Sequence, residues 1–396
     1  VAVAMGVMNV ATYGFTMIAA RLLGPRPYGA LASLMATLLV FGVLQLALQA
    51  TAARRIAADR THLPQVRHTV LRVTFGCAIV LGLLLLALTP VVDRLLRLDD
   101  AAAAALVGVT LVPMTLVGGQ LGILQGERRW AALSWVYAAN GVPRLLLGTA
   151  LVLLSPTTFA AMLGVALASF VPVVVAWLFL RHDAPGEPAP AGHGSRSVVT
   201  ELVHNAQALL AFFALSNVDV LIARNQLSAH EAGLYAGGVI LVKAVLFLPQ
   251  FVVVLAFPSL ATVGERRRAL VLGLGLVTAA GVLCTVGAWL LSDVALIFVG
   301  GHEYAGIRAE LWLFAVLGTL LAMLQLLVYS VLAQQARRTA LLVWLALVGV
   351  VALGLTAESW QTLLLRVVLV DLALCAVLLA VSIWRVTRGA GAAESQ

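Results

Sequence analysis

An all-α polytopic membrane protein, with about twelve transmembrane helices in two pseudo-symmetric six-helix bundles, is the fold class this sequence predicts. Three observations lead to it. Of 396 residues, 62% are hydrophobic and only 11% charged, at a mean hydropathy of +1.05, too little polar surface to enclose a water-soluble core. The apolar residues are gathered into runs long enough to cross a bilayer. A short polar turn between the first two runs has a degenerate copy in the second half, as expected of an internal duplication.

Crossing ~30 Å of hydrocarbon takes about 18 to 25 helical residues. Runs of that length lie at 2–20, 28–50, 69–91, 103–125, 131–154 and 159–180, and again at 203–225, 232–257, 269–291, 307–331, 339–356 and 362–384. The first opens at Val1-Ala2-Val3 with no methionine, which reads as a clipped N-terminus. Between the first two runs stands Arg21-Leu22-Leu23-Gly24-Pro25-Arg26-Pro27-Tyr28-Gly29, and its echo, Leu227-Ser228-Ala229-His230-Glu231-Ala232-Gly233, stands between the seventh and eighth. A second echo pairs Gln125-Gly126-Glu127-Arg128-Arg129 after the fourth run with Gln334-Gln335-Ala336-Arg337-Arg338 after the tenth.

The longest polar stretch, Arg181 to Ser197, contains Pro185, Pro188, Pro190, Gly186, Gly192 and Gly194 and reads as a flexible linker. The expected organisation is therefore an N-terminal bundle over 1–180, a cytoplasmic linker over 181–200, a C-terminal bundle over 201–384 and a cytoplasmic tail over 385–396.

Positive charge is retained on the cytoplasmic side during insertion. Alternate connections hold Arg54, Arg55, Arg60 and Arg67; Arg128 and Arg129; Arg181 and Arg196; Arg266, Arg267 and Arg268; Arg337 and Arg338; and Arg385 and Arg388 in the tail. The opposite connections hold Arg21, Arg26, Arg94 and Arg97, partly offset by Asp93, Asp99 and Asp100, with no arginine after the second of them. The prediction is a multi-pass protein of the cytoplasmic membrane with both termini inside. Trp130, Trp135, Trp177, Trp289, Trp312, Trp344, Trp360 and Trp384 all fall near run ends, where an amphipathic ring prefers the headgroup region.

Cys77, Cys284 and Cys375 lie inside apolar runs at spacings that match no metal motif, so neither a disulfide framework, a metal site nor a cofactor is expected. The net charge of +8 is spread as arginines in ones to threes with no long basic face, so nucleic acid is not an expected partner.

A charge at the centre of a membrane helix costs about 2.5 to 3.5 kcal/mol on insertion scales, so such residues face protein or water. Arg144 lies midway along the fifth run, Lys243 midway along the eighth and Asp371 midway along the twelfth, with Asp219 in the outer third of the seventh. On one reading Arg144 and Lys243, one from each half, form a cationic site for an anionic headgroup; guanidinium offers phosphate a bidentate fork and ammonium a point charge. On the other, Arg144 pairs with Asp371 or Asp219, and Lys243 pairs likewise or snorkels. Arg224, Arg366 and Arg21, near run ends, read as snorkelling arginines. Asn9, Asn140, Asn217, Gln45, Gln49, Gln120 and Gln325 read first as hydrogen-bond glue between helices. Pro143, beside Arg144, is expected to kink the fifth helix.

Several of these short motifs resemble one family: Leu22-Leu23-Gly24-Pro25 with Tyr28-Gly29, Asn217-Val218-Asp219 with Gly233-Leu234-Tyr235-Ala236, Phe257-Pro258, and Gly301-His302-Glu303-Tyr304-Ala305-Gly306. Together they are similar to the polysaccharide-biosynthesis (Wzx-like) flippases of the multidrug, oligosaccharidyl-lipid and polysaccharide (MOP) exporter superfamily. The resemblance implies a MATE/MOP-like fold around a central cavity and export of a polyprenyl-diphosphate-linked oligosaccharide by alternating access. It also implies a lipid-linked anionic saccharide as substrate, proton or Na⁺ coupling, cell-envelope biosynthesis enzymes as partners, and cationic cavity residues that Arg144 and Lys243 would supply. Related antiporters often carry an acid on the first helix, where this sequence has Asn9.

Two other readings stay open. A cation-coupled drug or metabolite antiporter of the same superfamily would use Asp219 and Asp371 as its cation sites. A membrane enzyme acting on lipid-linked sugars would need an external cluster of acids or histidines; Asp293, His302 and Glu303 are the densest polar set there and are explained by a solvated turn.

Overall fold

Glycine and proline divide the first two helices. Gly24, at φ 70°, ends α1 (Ala2–Leu23), and Pro25, whose missing N–H costs nothing at a first helical position, opens α2 (Pro25–Phe41). The computed structural model describes residues 1–59, 61–181, 195–260, 266–332 and 337–393. The core of the expected linker (182–194), Arg60 and Gln334-Gln335-Ala336 of the second echo lie outside the described residues.

After a break at Gly42 the chain continues as α3 (Val43–Ala58), α4 (Leu63–Ala87), a short α5 (Thr89–Leu96), α6 (Ala101–Gly126), α7 (Trp130–Leu154) and α8 (Thr158–Leu180). The long α9 (Ser195–Gln226) is followed by α10 (Ala229–Leu260), α11 (Arg266–Leu290), a short α12 (Ser292–Val299), a 3-10 segment (His302–Glu310), α13 (Leu311–Leu332), α14 (Arg337–Gly354) and α15 (Trp360–Ala393). Side chains cap several starts: Asp100 accepts from Ala103 N–H at 3.0 Å and Thr157 from Ala160 N–H at 3.2 Å. The Leu227 echo is a capping box. Ser228 Oγ accepts from Glu231 N–H at 3.2 Å, and Glu231 Oε2 accepts from Ser228 N–H at 3.3 Å.

Each of the twelve apolar runs falls on a helix, but among the described residues ten helical segments are long and apolar enough to span a membrane. The other two runs, 203–225 and 339–356, fall on α9 and on α14, where the described apolar stretch is Leu341–Gly354. The run at 69–91 also overreaches, since its last residues turn into α5.

The chain forms two compact units, Val1–Phe213 and Ala214–Gln396, with the division inside α9. In the first, α6 is central and packs on α3, α4 and α8, while α7 packs on α1 and α8. In the second, α13 holds the equivalent place, packing on α10, α11 and α15, with α14 on α15. The repeated pairing, and the short helices α5 and α12 at matching positions, express the duplication in structure.

Small residues let the helices close on one another. A methyl group at Gly118 would stand 2.5 Å from Gln45 O and one at Gly122 2.5 Å from Gln49 O, so α6 lies against the α3 backbone. Gly318 of α13 meets Val242 O of α10 in the same way, at 2.7 Å.

One end of the first unit gathers its basic residues. Arg67 Nη2 donates to Leu180 O at 2.9 Å and Arg129 Nη2 to Phe179 O at 2.7 Å, satisfying carbonyls at the C-terminus of α8 that have no helical partner. Glu127 lies between them, 3.9 Å from Arg67 and 3.4 Å from Arg129. At the same end Glu201 of α9 takes both Arg54 and Arg55 of α3.

Candidate functional site

The second unit holds a buried polar cluster between α9 and α10. Ser216, Asn217 and Asp219 interrupt the apolar course of α9, and each is at most 5% exposed. From α10, Lys243 Nζ donates to Ser216 O at 2.7 Å and to Asn217 Oδ1 at 3.0 Å. Two turns earlier on α10, Tyr235 donates its hydroxyl to Asp219 Oδ2 at 2.8 Å. Asp371 of α15 is fully buried, within electrostatic range of Asp219 and Tyr235, and neither carboxyl oxygen has a hydrogen-bond partner among the described residues. Phe314 packs edge-on to Tyr235 and stacks on Trp360, giving the cluster an aromatic wall.

The first unit holds Arg144 on α7. A methyl group at Gly141 would stand 2.6 Å from Met8 O, and one at Gly148 2.5 Å from the Phe15 ring, so α7 and α1 run parallel in close contact. Arg144 falls between those two contacts, about half a turn along from the level of Asn9, which follows Met8. Pro143 leaves the Ala139 carbonyl without its helical donor, an acceptor one turn away. Arg144 is half-buried and, within its unit, makes no hydrogen bond or ion pair to a described residue. An unmatched guanidinium beside a weakened helix is a place where an anion is stabilised.

Asp219, Lys243 and Asp371 thus come together in one unit, while Arg144 and Asn9 belong to the other. Lys243 is held by a carbonyl and an amide, with no carboxylate hydrogen-bonded to it among the described residues. Arg366 reaches Leu353 O at 2.6 Å and Thr356 Oγ1 at 2.7 Å, capping the end of α14. Arg224 is 7% exposed, buried among protein instead of snorkelling. Trp360 is 4% exposed because Phe314 covers it, whereas Trp130, Trp135, Trp177, Trp289 and Trp312 present their rings outward as expected. Arg308, at the start of the run 307–331, lies in the 3-10 segment and pairs with Asp293 at 2.7 Å. Gln49 is interhelical glue, donating to Gln125 Oε1 and Tyr137 OH at 2.9 Å each. Tyr235 stands in the sequence only as part of a family motif, and its place one helical hairpin from Asp219 is the signal that marks it as a partner of that carboxyl.

The family model of polysaccharide biosynthesis proteins matches residues 1–264. The chain belongs to that family. This polysaccharide biosynthesis protein also shares its fold with solved transporters. An inward-facing multidrug resistance MATE family transporter of the MOP superfamily aligns with a TM-score of 0.74 and 13% identity over 98% of both chains. A eukaryotic MATE transporter, AtDTX14, aligns at 0.69 and 14% identity over 97% of this chain and 94% of its own. The MATE multidrug transporter DinF-BH gives 0.67 and 16% over 95% and 92%. No curated protein sequence matches significantly. The family is that of polysaccharide biosynthesis proteins, and the fold is the one these MATE transporters share.

Proposed function

We propose that this polysaccharide biosynthesis protein flips a polyprenyl-diphosphate-linked oligosaccharide across the cytoplasmic membrane by alternating access. Both termini are cytoplasmic in this reading, with an N-terminal bundle over 1–180 and a C-terminal bundle over 201–384 joined by a cytoplasmic linker over 181–200. The observation that carries the reading is Arg144, a guanidinium at membrane depth with no anionic partner among the described residues of its own unit, in a chain of a polysaccharide biosynthesis family. A diphosphate supplies that partner, and Lys243 offers a second cation from the other unit. Asn9 of the first unit and Asp219 and Asp371 of the second are the further residues this reading assigns to the substrate. Enzymes that assemble the lipid-linked sugar act on its cytoplasmic face.

The test is flux of a labelled lipid-linked oligosaccharide in proteoliposomes. Arg144→Ala and Lys243→Ala should each slow translocation with membrane insertion intact, and a fully active double variant would remove the proposal.

A second reading is favoured by Asp371 and Asp219: two buried carboxyls close together suit a proton or Na⁺ site, as a cation-coupled antiporter needs. The neighbours of known fold that are described as multidrug transporters fit it too. Export of a cationic dye driven by a proton or Na⁺ gradient, with no flux of lipid-linked sugar, would decide for it.

A further inference from the structure

Of the 25 lysines and arginines in the sequence, Lys243 alone is a lysine. A guanidinium would present a planar fork at this position, whereas an ammonium presents a compact charge with three protons in a tetrahedral spread. Two of those protons are taken, by Ser216 O at 2.7 Å and by Asn217 Oδ1 at 3.0 Å. The Asn217 amide is turned for this, since its Nδ2 donates to Ser216 Oγ at 3.1 Å and leaves Oδ1 facing the lysine. The third proton of the half-buried Lys243 has no acceptor among the described residues.

A carboxylate is nevertheless at hand. Asp219 lies within electrostatic range of Lys243, yet the two form no ion pair. Opposite charges in a water-poor interior attract strongly, so their separation needs a cause. Tyr235 supplies it, because its hydroxyl donates to Asp219 Oδ2 at 2.8 Å and so holds the carboxylate by a charge-assisted bond. The tyrosine cannot follow a carboxylate that swings away. Its side chain is 0% exposed and lies edge-on to Phe314, with ring centroids 5.6 Å apart. Phe314 is itself stacked on Trp360 and pressed against α10, where a methyl group at Gly238 would stand 2.3 Å from its ring. The hydroxyl is therefore a fixed point to which Asp219 is tethered.

We propose that Tyr235 is a positioning residue that withholds Asp219 from Lys243, so that the ammonium keeps one proton for a phosphate oxygen of an incoming anion. The inference rests on the transport reading, in which Lys243 meets a diphosphate. Asn217 and the Ser216 carbonyl hold the ammonium from one side with neutral acceptors, and Tyr235 holds the competing carboxylate on the other. With that tether cut, Asp219 turns to Lys243 and occupies the third proton, and an anion then has to displace the carboxylate before it binds.

The experiment is nuclear magnetic resonance of the full chain in nanodiscs, isotope-labelled at the lysine side-chain nitrogen, where one lysine gives one signal. Inorganic diphosphate is the probe, and all variants are compared on monodisperse, helical protein. The wild-type signal should move as diphosphate is added. In Tyr235→Phe the signal should stand displaced before any anion is present, and half-saturation should need about tenfold more diphosphate, the effect of one hydrogen bond to a charged group. Adding Asp219→Asn to Tyr235→Phe should return both readings to those of Asp219→Asn alone, since no carboxylate is left to be withheld. A tyrosine that only packs would weaken binding with or without the carboxylate. A lysine signal and affinity unmoved by Tyr235→Phe, a double variant as weak as Tyr235→Phe, or a wild-type signal indifferent to diphosphate would each overturn the proposal. Full oligosaccharide flux in Arg144→Ala with Lys243→Ala would instead remove the transport reading, and it is told apart because it leaves the lysine signals of the tyrosine variants as they are.

Discussion

Tyr235 gives its hydroxyl proton to Asp219 Oδ2 across 2.8 Å, and neither residue is more than 4% exposed. The bond ties α10 to α9 at the level where Asp371 arrives from α15. Tyr235→Phe keeps the ring against Phe314 but leaves the buried carboxyl without that donor, at a cost of about 1 to 3 kcal/mol. The thermal midpoint of the detergent-solubilised protein should fall accordingly. Asp219→Asn, which can still accept from the tyrosine, should fall less; a midpoint unmoved by Tyr235→Phe would show that the bond contributes nothing.

Arg144 separates charge from geometry. Arg144→Lys keeps a positive charge but loses the fork that grips a diphosphate, so lipid-linked oligosaccharide flux should drop only in part. Arg144→Ala should drop it by about tenfold to a hundredfold, the range expected for hydrogen bonds to a charged group. Proteoliposome flux at matched protein density measures both. Equal flux in the lysine and alanine variants would mean that charge at this position does not act on the substrate.

The helix interfaces make a prediction that composition alone does not. At Gly122 a methyl group would stand 2.5 Å from both Gln49 O and Ala52 Cβ, whereas at Gly76 of α4 nothing lies within 4 Å. Gly122→Ala should therefore destabilise by about 1 to 3 kcal/mol through overpacking. Gly76→Ala should be neutral or stabilising by up to about 1 kcal/mol through helix propensity. Thermal unfolding of the pair tests the packing directly, and a tolerated Gly122→Ala would mean that α3 and α6 are free to separate there.

These contrasts also mark where sequence reading reached and where it stopped. Helix positions were legible because apolar runs report bilayer thickness, and the turn at Gly24-Pro25 and its Ser228 counterpart were legible because glycine, proline and a capping box act locally. The break at Gly42 was not, since nothing in its apolar surroundings sets it apart from a continuing span, and the short helices α5 and α12 lie mostly in segments that the charge map reads as connections. In the site, Asp219, Lys243 and Asp371 were legible as intramembrane charges of high cost. Their partners Ser216, Tyr235 and Phe314 were not, because the register of α9 against α10 and α13 decides them. The groove between α4, α6 and α8 was not legible for the same reason: His68, Arg72, Gln120 and Trp177 come from three helices and meet only once these are packed.

Glu201 holds both Arg54 and Arg55, with Arg55 Nε at 2.9 Å, and so fastens the start of α9 to the end of α3 within the first unit. Arg54 is largely exposed, so its share should be small, as for surface ion pairs generally. Arg55 and Glu201 are each less than a fifth exposed and are screened less. Val198 and Leu202 of α9 pack on Ala47, Leu48 and Val73, so apolar contact supports the same join independently of charge. Glu201→Gln should therefore lower the thermal midpoint modestly, by the equivalent of about 1 kcal/mol, and leave α9 docked. Raising the ionic strength from about 0.01 M to 1 M shortens the Debye length from about 30 Å to 3 Å, so the gap between wild type and variant should narrow. A gap that stays constant with salt would assign the effect to shape at position 201, and a gap several times larger would mean that the charge pair, not the apolar contact, holds α9 to α3.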